Sequence, residues 1–175
     1  MKRGWNRCCC PWQTPTRSGS RPWRISVGTP VGKDKLPDMS MIRAIAKTIS
    51  GVLKRGDLVV LRSTVPVGTT RKEVLPVLES GGLKAGRDFF LSFAPERTAE
   101  GNALEELRIL PQIVGGFDAS SVEMTARLFG EITNTIVEVG SLEAAEMVKL
   151  MNNTFRDLVF SFANEVAFLC DDFNI

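Results

Sequence analysis

Residues 141–170 contain no glycine or proline, and Ala145, Val148, Phe155, Leu158, Val159, Phe162, Ala163, Val166 and Cys170 recur there at three- and four-residue steps. That spacing predicts one helix with a continuous apolar face. Ser141 follows Gly140 and is placed to cap the first turn, where Glu143 and Glu146 suit the positive end of the helix dipole. A helix of about 30 residues reaches roughly 45 Å at 1.5 Å per residue, further than a compact domain needs, so it is expected to join two bodies. Lys149 and Asn153 lie four apart and therefore share a face, setting an ammonium beside an amide that together could hold an oxyanion. The plain alternative is a solvated lysine beside two polar asparagines, Asn152 and Asn153, since lysines are mostly exposed.

Upstream, the pattern alternates. Ile25-Ser-Val27 reads as a strand end running into the turn Gly28-Thr29-Pro30, and Asp38 is placed to cap a helix from about Met39 to Lys54. Residues 57–61, Asp-Leu-Val-Val-Leu, suit a strand buried on both faces of a parallel sheet. The hydroxyl-rich loop Arg62-Ser-Thr-Val-Pro-Val-Gly-Thr-Thr70 follows, placing Ser63 and Thr64 at the carboxyl edge of the sheet, where open α/β sheets bind ligands. Thr70 with Glu73 has the spacing of a capping box, and Pro76 is expected to kink or shorten the next helix. A second strand at 89–93 leads into Ala94-Pro-Glu-Arg-Thr-Ala-Glu-Gly101, which puts the carboxylates Glu96 and Glu100 after a strand end. A short helix at 103–108, a strand at 112–116, a helix capped by Asp118 and running to about Gly130, and a strand at 135–139 complete the series. The expected class is α/β, a mostly parallel sheet covered by helices. No G-x-G-x-x-G follows any strand, and Gly115-Gly116 is too little to replace it.

Charge and residue usage narrow the chemistry. Net charge is +2, but residues 1–24 hold six basic side chains and no acid, which leaves −4 on residues 25–175 and argues against nucleic-acid binding. No apolar run approaches the ~18 residues of a membrane span. With no histidine in the chain, Ser-His-Asp and Cys-His mechanisms are excluded, so proton transfer falls to carboxylates, lysine or water. Trp5, Trp12, Trp23 and the run Cys8-Cys9-Cys10 crowd the first 24 residues, where composition breaks sharply from the rest. Adjacent cysteines cannot easily wrap one tetrahedral ion, so no metal is expected there, and the segment lacks the apolar core of a secretory signal. It is expected to be irregular and disordered, or a rearranged start of the coding frame. The absence of disulfide-like spacing favours the cytoplasm.

Taken together, Val27-Gly-Thr-Pro30, Ser63-Thr-Val-Pro-Val-Gly68, Ala94-Pro-Glu-Arg-Thr-Ala-Glu-Gly101, Gln112-Ile-Val-Gly-Gly116 and Glu143-Ala-Ala-Glu-Met-Val-Lys-Leu-Met-Asn-Asn-Thr-Phe155 resemble the nucleotide-sugar 6-dehydrogenases, a family that includes UDP-glucose and UDP-N-acetylmannosamine dehydrogenases. The resemblance covers residues 25–175. It implies a partial NAD-binding Rossmann-like domain at 25–140 and, at 141–175, a long helix that begins a central dimerisation domain. It also implies oxidation of a UDP-sugar C6 alcohol to a carboxylate in two hydride transfers to NAD, through a cysteine-bound thiohemiacetal and a thioester, in a homodimeric complete enzyme. By the same resemblance Lys149 stabilises the developing oxyanion, Asn153 supports it and the water, Glu96 assists proton transfer or thioester hydrolysis, and Thr64 places water and cofactor. Thr29, Pro30 and Ser63 would line the cofactor cleft and Glu100 would approach the nicotinamide. The Pro95-Glu96-Arg97 form leans toward UDP-N-acetylhexosamines.

Two departures stand out. The family's Gly-rich NAD turn is expected before Val27, where the Trp- and Cys-rich segment stands, and its nucleophilic cysteine is expected beyond Ile175. Cys170 lies on the apolar stripe and is expected to be a buried small hydrophobe. The chain is therefore expected to be the middle of an enzyme and not to reduce NAD by itself. The alternatives are a β-hydroxyacid dehydrogenase, which shares the Lys-Asn helix pair but not the Ser-Thr-Val-Pro-Val-Gly loop, and a non-catalytic dimerisation fragment that pairs through Phe155, Leu158, Phe162 and Phe168.

Overall fold

A computed structural model describes residues 21–97 and 103–175. Among them the elements run β1 (Pro22–Ile25), α1 (Ser40–Ser50), β2 (Leu58–Leu61), α2 (Leu75–Glu79), β3 (Phe90–Phe93), α3 (Ala103–Ile109), β4 (Gln112–Gly116), α4 (Ala119–Gly130), β5 (Ile136–Val139) and α5 (Leu142–Phe173). The strands make one sheet in the order β1-β2-β3-β4-β5, parallel except where β4 opposes β3. The fold is Rossmann-like α/β and ends in the long helix. Among the described residues no helix is long and apolar enough to cross a membrane.

Strand alternation assigns the two faces of the sheet. In β2, Val59 and Leu61 join the core shared by Ile42, Ile49 and Leu78 of the helices α1 and α2 and by Leu142 and Ala145 of α5. Leu58 and Val60 point the other way, against Leu128 and Phe129 of α4. Every residue of β2 is buried, as its unbroken apolar run requires.

Local signals held where local groups satisfy the backbone. Asp118 accepts from Ser121 N at 2.8 Å, and Ser141 accepts from Ala144 N at 3.1 Å. Several expectations are overturned by distant groups. Trp23 and its neighbours do not belong to an irregular arm: Pro22–Ile25 is a strand paired to β2, and Asp57 ties it down by accepting from Arg21 N at 3.1 Å and Trp23 Nε1 at 2.9 Å. Residues 1–20 lie outside the described residues. The first helix stops at Ser50, before Lys54, because Gly51 begins a turn. Thr70 and Glu73 form no capping box, since Thr70 turns to Glu146 on α5 and Glu73 pairs with Arg43. Ahead of α2 the chain makes a wider π-type turn, Thr70–Val74, and Pro76 then falls in the first turn of α2, where its missing N–H has no intrahelical partner to lose. On α5 the buried residues are Leu142, Ala145 and Glu146, all in its first turns, whereas Phe155, Leu158, Phe162 and Phe168 are exposed and Cys170 is half-exposed. The predicted stripe therefore has a neighbour at its start alone.

The turn before β3 is held by Asp88, whose carboxylate is 1% exposed and accepts from Arg87 Nη2 at 2.8 Å and Lys84 N at 2.9 Å. The Arg87 hydrogen bond, then the Lys84 N–H, hold its carboxyl down to about 2. A carboxyl whose folded pKa lies below its ordinary 3.8 stabilises the fold fully above that value and loses the contribution as pH falls through about 2. Urea midpoints measured across pH are expected to show Asp88→Asn weaker than the parent at neutral pH, with the gap closing between about pH 4 and pH 2.

Candidate functional site

Parallel pairing in register, with Ile25 opposite Leu61 and Leu61 opposite Phe93, makes β1, β2 and β3 end at one level. The three loops that leave there carry Thr29 and Pro30, Ser63 and Thr64, and Glu96. Two hydroxyls knit the first pair of loops: Val27 N donates to Ser63 Oγ at 2.8 Å, and Thr29 Oγ1 donates to the Thr64 carbonyl at 2.7 Å. Ser63 is buried, Pro30 is exposed, and the half-buried Thr64 hydroxyl makes no hydrogen bond among the described residues. That hydroxyl, unlike those of Ser63 and Thr29, is left to meet a ligand. Glu100 lies outside the described residues.

Arg62, the last residue before this loop, is 2% exposed and forms the floor beneath Glu96. Its Nη2 donates to Glu96 Oε2 at 2.7 Å, its Nη1 to Gln112 Oε1 at 3.3 Å, and its guanidinium lies 4.8 Å from the centre of the Phe129 ring. The Arg97 backbone N–H donates to Glu96 Oε1 at 3.1 Å. Both oxygens of Glu96 are thus oriented by donors, one of them a buried guanidinium.

Helix α5 brings Lys149 and Asn153 to the same edge, one turn apart, and both are half-buried. Burial pushes the Lys149 ammonium below the ordinary lysine range; Arg156, Arg97 and Arg62 push the same way, while Glu96 pulls it back. Neither Lys149 nor Asn153 forms a hydrogen bond or ion pair among the described residues.

Arg62 and Gln112 were given no role from the sequence, and Glu146 was read there as a partner of the helix dipole. Glu146 in particular is no dipole partner: it is fully buried and accepts hydrogen bonds from Gly68 and Thr70, because α5 lays that face on the loop. Its signal was present, a glutamate adjoining Ala145 and Val148 on the apolar stripe. Glu143 does stay at the surface, where it pairs with Arg71 at 2.6 Å. A separate cavity of about 590 Å³, lined by Gly116, Asp118, Glu123, Glu138 and Gly140, opens at the opposite end of the sheet and holds none of the candidate site residues.

Comparison with known proteins agrees with this layout. The model of the UDP-glucose/GDP-mannose dehydrogenase family, NAD binding domain, matches residues 18–133, and that of the same family's central domain matches residues 143–175. UDP-N-acetyl-D-mannosamine dehydrogenase of Pyrococcus horikoshii is 36% identical over 157 residues, covering 90% of this chain and 37% of the relative. NDP-N-acetyl-D-galactosaminuronic acid dehydrogenase of Ralstonia solanacearum is 38% identical over 158 residues, covering 86% and 37%. The solved Pyrococcus horikoshii structure superposes with a TM-score of 0.82 over 88% of this chain and 37% of that one. A ternary complex of GDP-mannose dehydrogenase from Pseudomonas aeruginosa, 30% identical, gives 0.76 over 82% and 34%. The chain thus spans about 37% of the length of the curated relatives it matches.

Proposed function

Because the chain belongs to the UDP-glucose/GDP-mannose dehydrogenase family, we propose that it takes part in NAD-dependent oxidation of the C6 alcohol of a UDP-hexose to the uronate. The observation that carries this reading is the half-buried Lys149 ammonium, set by α5 over the edge that holds Glu96 and Thr64. Relatives named for N-acetylated sugars favour a UDP-N-acetylhexosamine, in line with Arg97 beside Glu96. NAD, when bound, accepts the hydride. The uncommitted Thr64 hydroxyl at the carboxyl edge of parallel strands fits the nicotinamide end of that cofactor, while no G-x-G-x-x-G for its pyrophosphate occurs in residues 1–175.

Each side chain then has a task. Lys149 stabilises negative charge developing on the substrate oxygen, and Asn153, one turn on, supports the same oxygen and water. Glu96, oriented by Arg62, positions water and takes up a proton. Thr29 and Ser63 hold the two cofactor loops together, and Pro30 lines the cleft. The exposed apolar length of α5 supports a homodimer, and the thiol usage supports a cytoplasmic enzyme.

Saturation-transfer NMR on the folded chain tests the cofactor assignment. Saturation is expected to reach the nicotinamide protons of NAD more than the adenine protons, and Thr64→Val is expected to weaken it. Transfer to neither ring would overturn the reading.

A further inference from the structure

Glu146 is a fully buried carboxylate that has no ion-pair partner among the described residues. Its burial is offset by three donors that converge on it: the Gly68 N–H, the Thr70 N–H at 2.8 Å and the Thr70 hydroxyl at 2.6 Å. All three belong to the end of the loop that begins with Ser63 and Thr64. Gly68 has φ +91°, a conformation that L side chains rarely adopt, and with it the loop turns its N–H toward the carboxylate.

On α5, Glu146 stands three residues before Lys149, on the neighbouring turn of the same face. It is also the last strong anchor. Leu142 and Ala145 precede it, and from Phe155 to Phe173 the large apolar residues are exposed. The Arg71–Glu143 pair is partly exposed on both sides, and such pairs contribute little. Apolar packing alone resists axial slip of a helix weakly, whereas a carboxylate with three directed donors has one register in which all are satisfied.

We propose that Glu146 is a positioning residue that sets the rotation and height of α5, so that the Lys149 ammonium stands over Glu96 and the Thr64 loop. Lys149 and Thr64 then move as one body, although they come from elements far apart in the chain. The catalytic consequence rests on the dehydrogenase reading, but the geometry does not.

The test therefore reads Lys149 directly and requires no turnover. Lysines of the full chain are ¹³C-methylated, the Lys149 signal is assigned by its loss in Lys149→Arg, and its titration midpoint is followed by NMR. Glu146→Asp keeps the charge and withdraws the carboxylate by one methylene, so the fields of Glu96, Arg62, Arg97 and Arg156 on Lys149 stay in place while the clamp is lost. The expected result is a Lys149 midpoint that rises from its depressed value toward that of an ordinary lysine, with exchange of the Gly68 and Thr70 amides faster by about tenfold or more. Thr70→Val, which removes one donor and keeps the shape, is expected to move both readouts less and in the same direction; it decides the matter if Glu146→Asp does not fold. A lower melting temperature with the Lys149 midpoint unchanged in the folded variants would make Glu146 a structural brace only and overturn the proposal.

Discussion

Under the proposed function, Lys149→Ala is expected to lower the turnover of UDP-sugar oxidation by roughly 10²–10³ in the protein that carries this sequence, while UDP-sugar binding changes much less. That range is the scale for removing one preorganised donor to a developing oxyanion. The ammonium is half-buried and held below the ordinary lysine range by desolvation, so the fold carries a cost to keep it there. A lysine in free solvent would instead leave rate and stability within about 0.5 kcal/mol of the parent. Lys149→Arg is not expected to restore the rate, since a planar fork does not occupy the place of a compact ammonium and would face Arg62, Arg97 and Arg156 as well. Asn153→Ala should be less than additive with Lys149→Ala, since the two share one face of α5 and are proposed to act on one oxygen. Steady-state kinetics on the single and double variants measures all of this, and near-parental turnover for Lys149→Ala would return α5 to a structural role.

Gly115→Ala is expected to destabilise the fold by roughly 3 kcal/mol or more, the upper end for overpacking, lowering the melting temperature by about 6–12 °C for a chain of this size. A Cβ at Gly115 would lie 2.2 Å from the Ser141 carbonyl oxygen and 2.8 Å from Ala145 Cβ. The first contact is backbone, so relief requires moving the start of α5, the same turns that seat Glu146 and Lys149. Gly130→Ala is the control, because nothing lies within 4 Å of its added Cβ, and it should be neutral or stabilising by up to about 1 kcal/mol. Thermal melts of both variants decide; equal effects would show that lost glycine freedom, not the close approach, governs the site.

Gly115 also illustrates how much was legible beforehand. Gly115-Gly116 stood out in the sequence as a poor phosphate-binding turn and as part of the Gln112–Gly116 motif, and although Asp118 announced α4, nothing nearby announces that α5 also starts against β4. The hydroxyl loop, the Glu96 loop and the Lys149–Asn153 pair were readable because each follows a strand end or repeats at a helical step. Their side-chain division of labour was not: Ser63 and Thr29 spend their hydroxyls on the neighbouring loop, and Thr64 does not.

The sequence by itself determined the order of elements, the burial of β2, the Asp118 and Ser141 caps and the unbroken length of α5. These depend on periodicity and on groups within a few residues of one another, which a linear reading contains. Tertiary structure alone decided the antiparallel β4, the pairing of Arg62 with Glu96, the exposure of Phe155 and Phe162, and the burial of Glu146. A carboxylate five residues into a helix can serve as a dipole partner in water or as a buried clamp. Which one it becomes depends on whether Gly68 and Thr70, more than seventy residues away, present their donors to it.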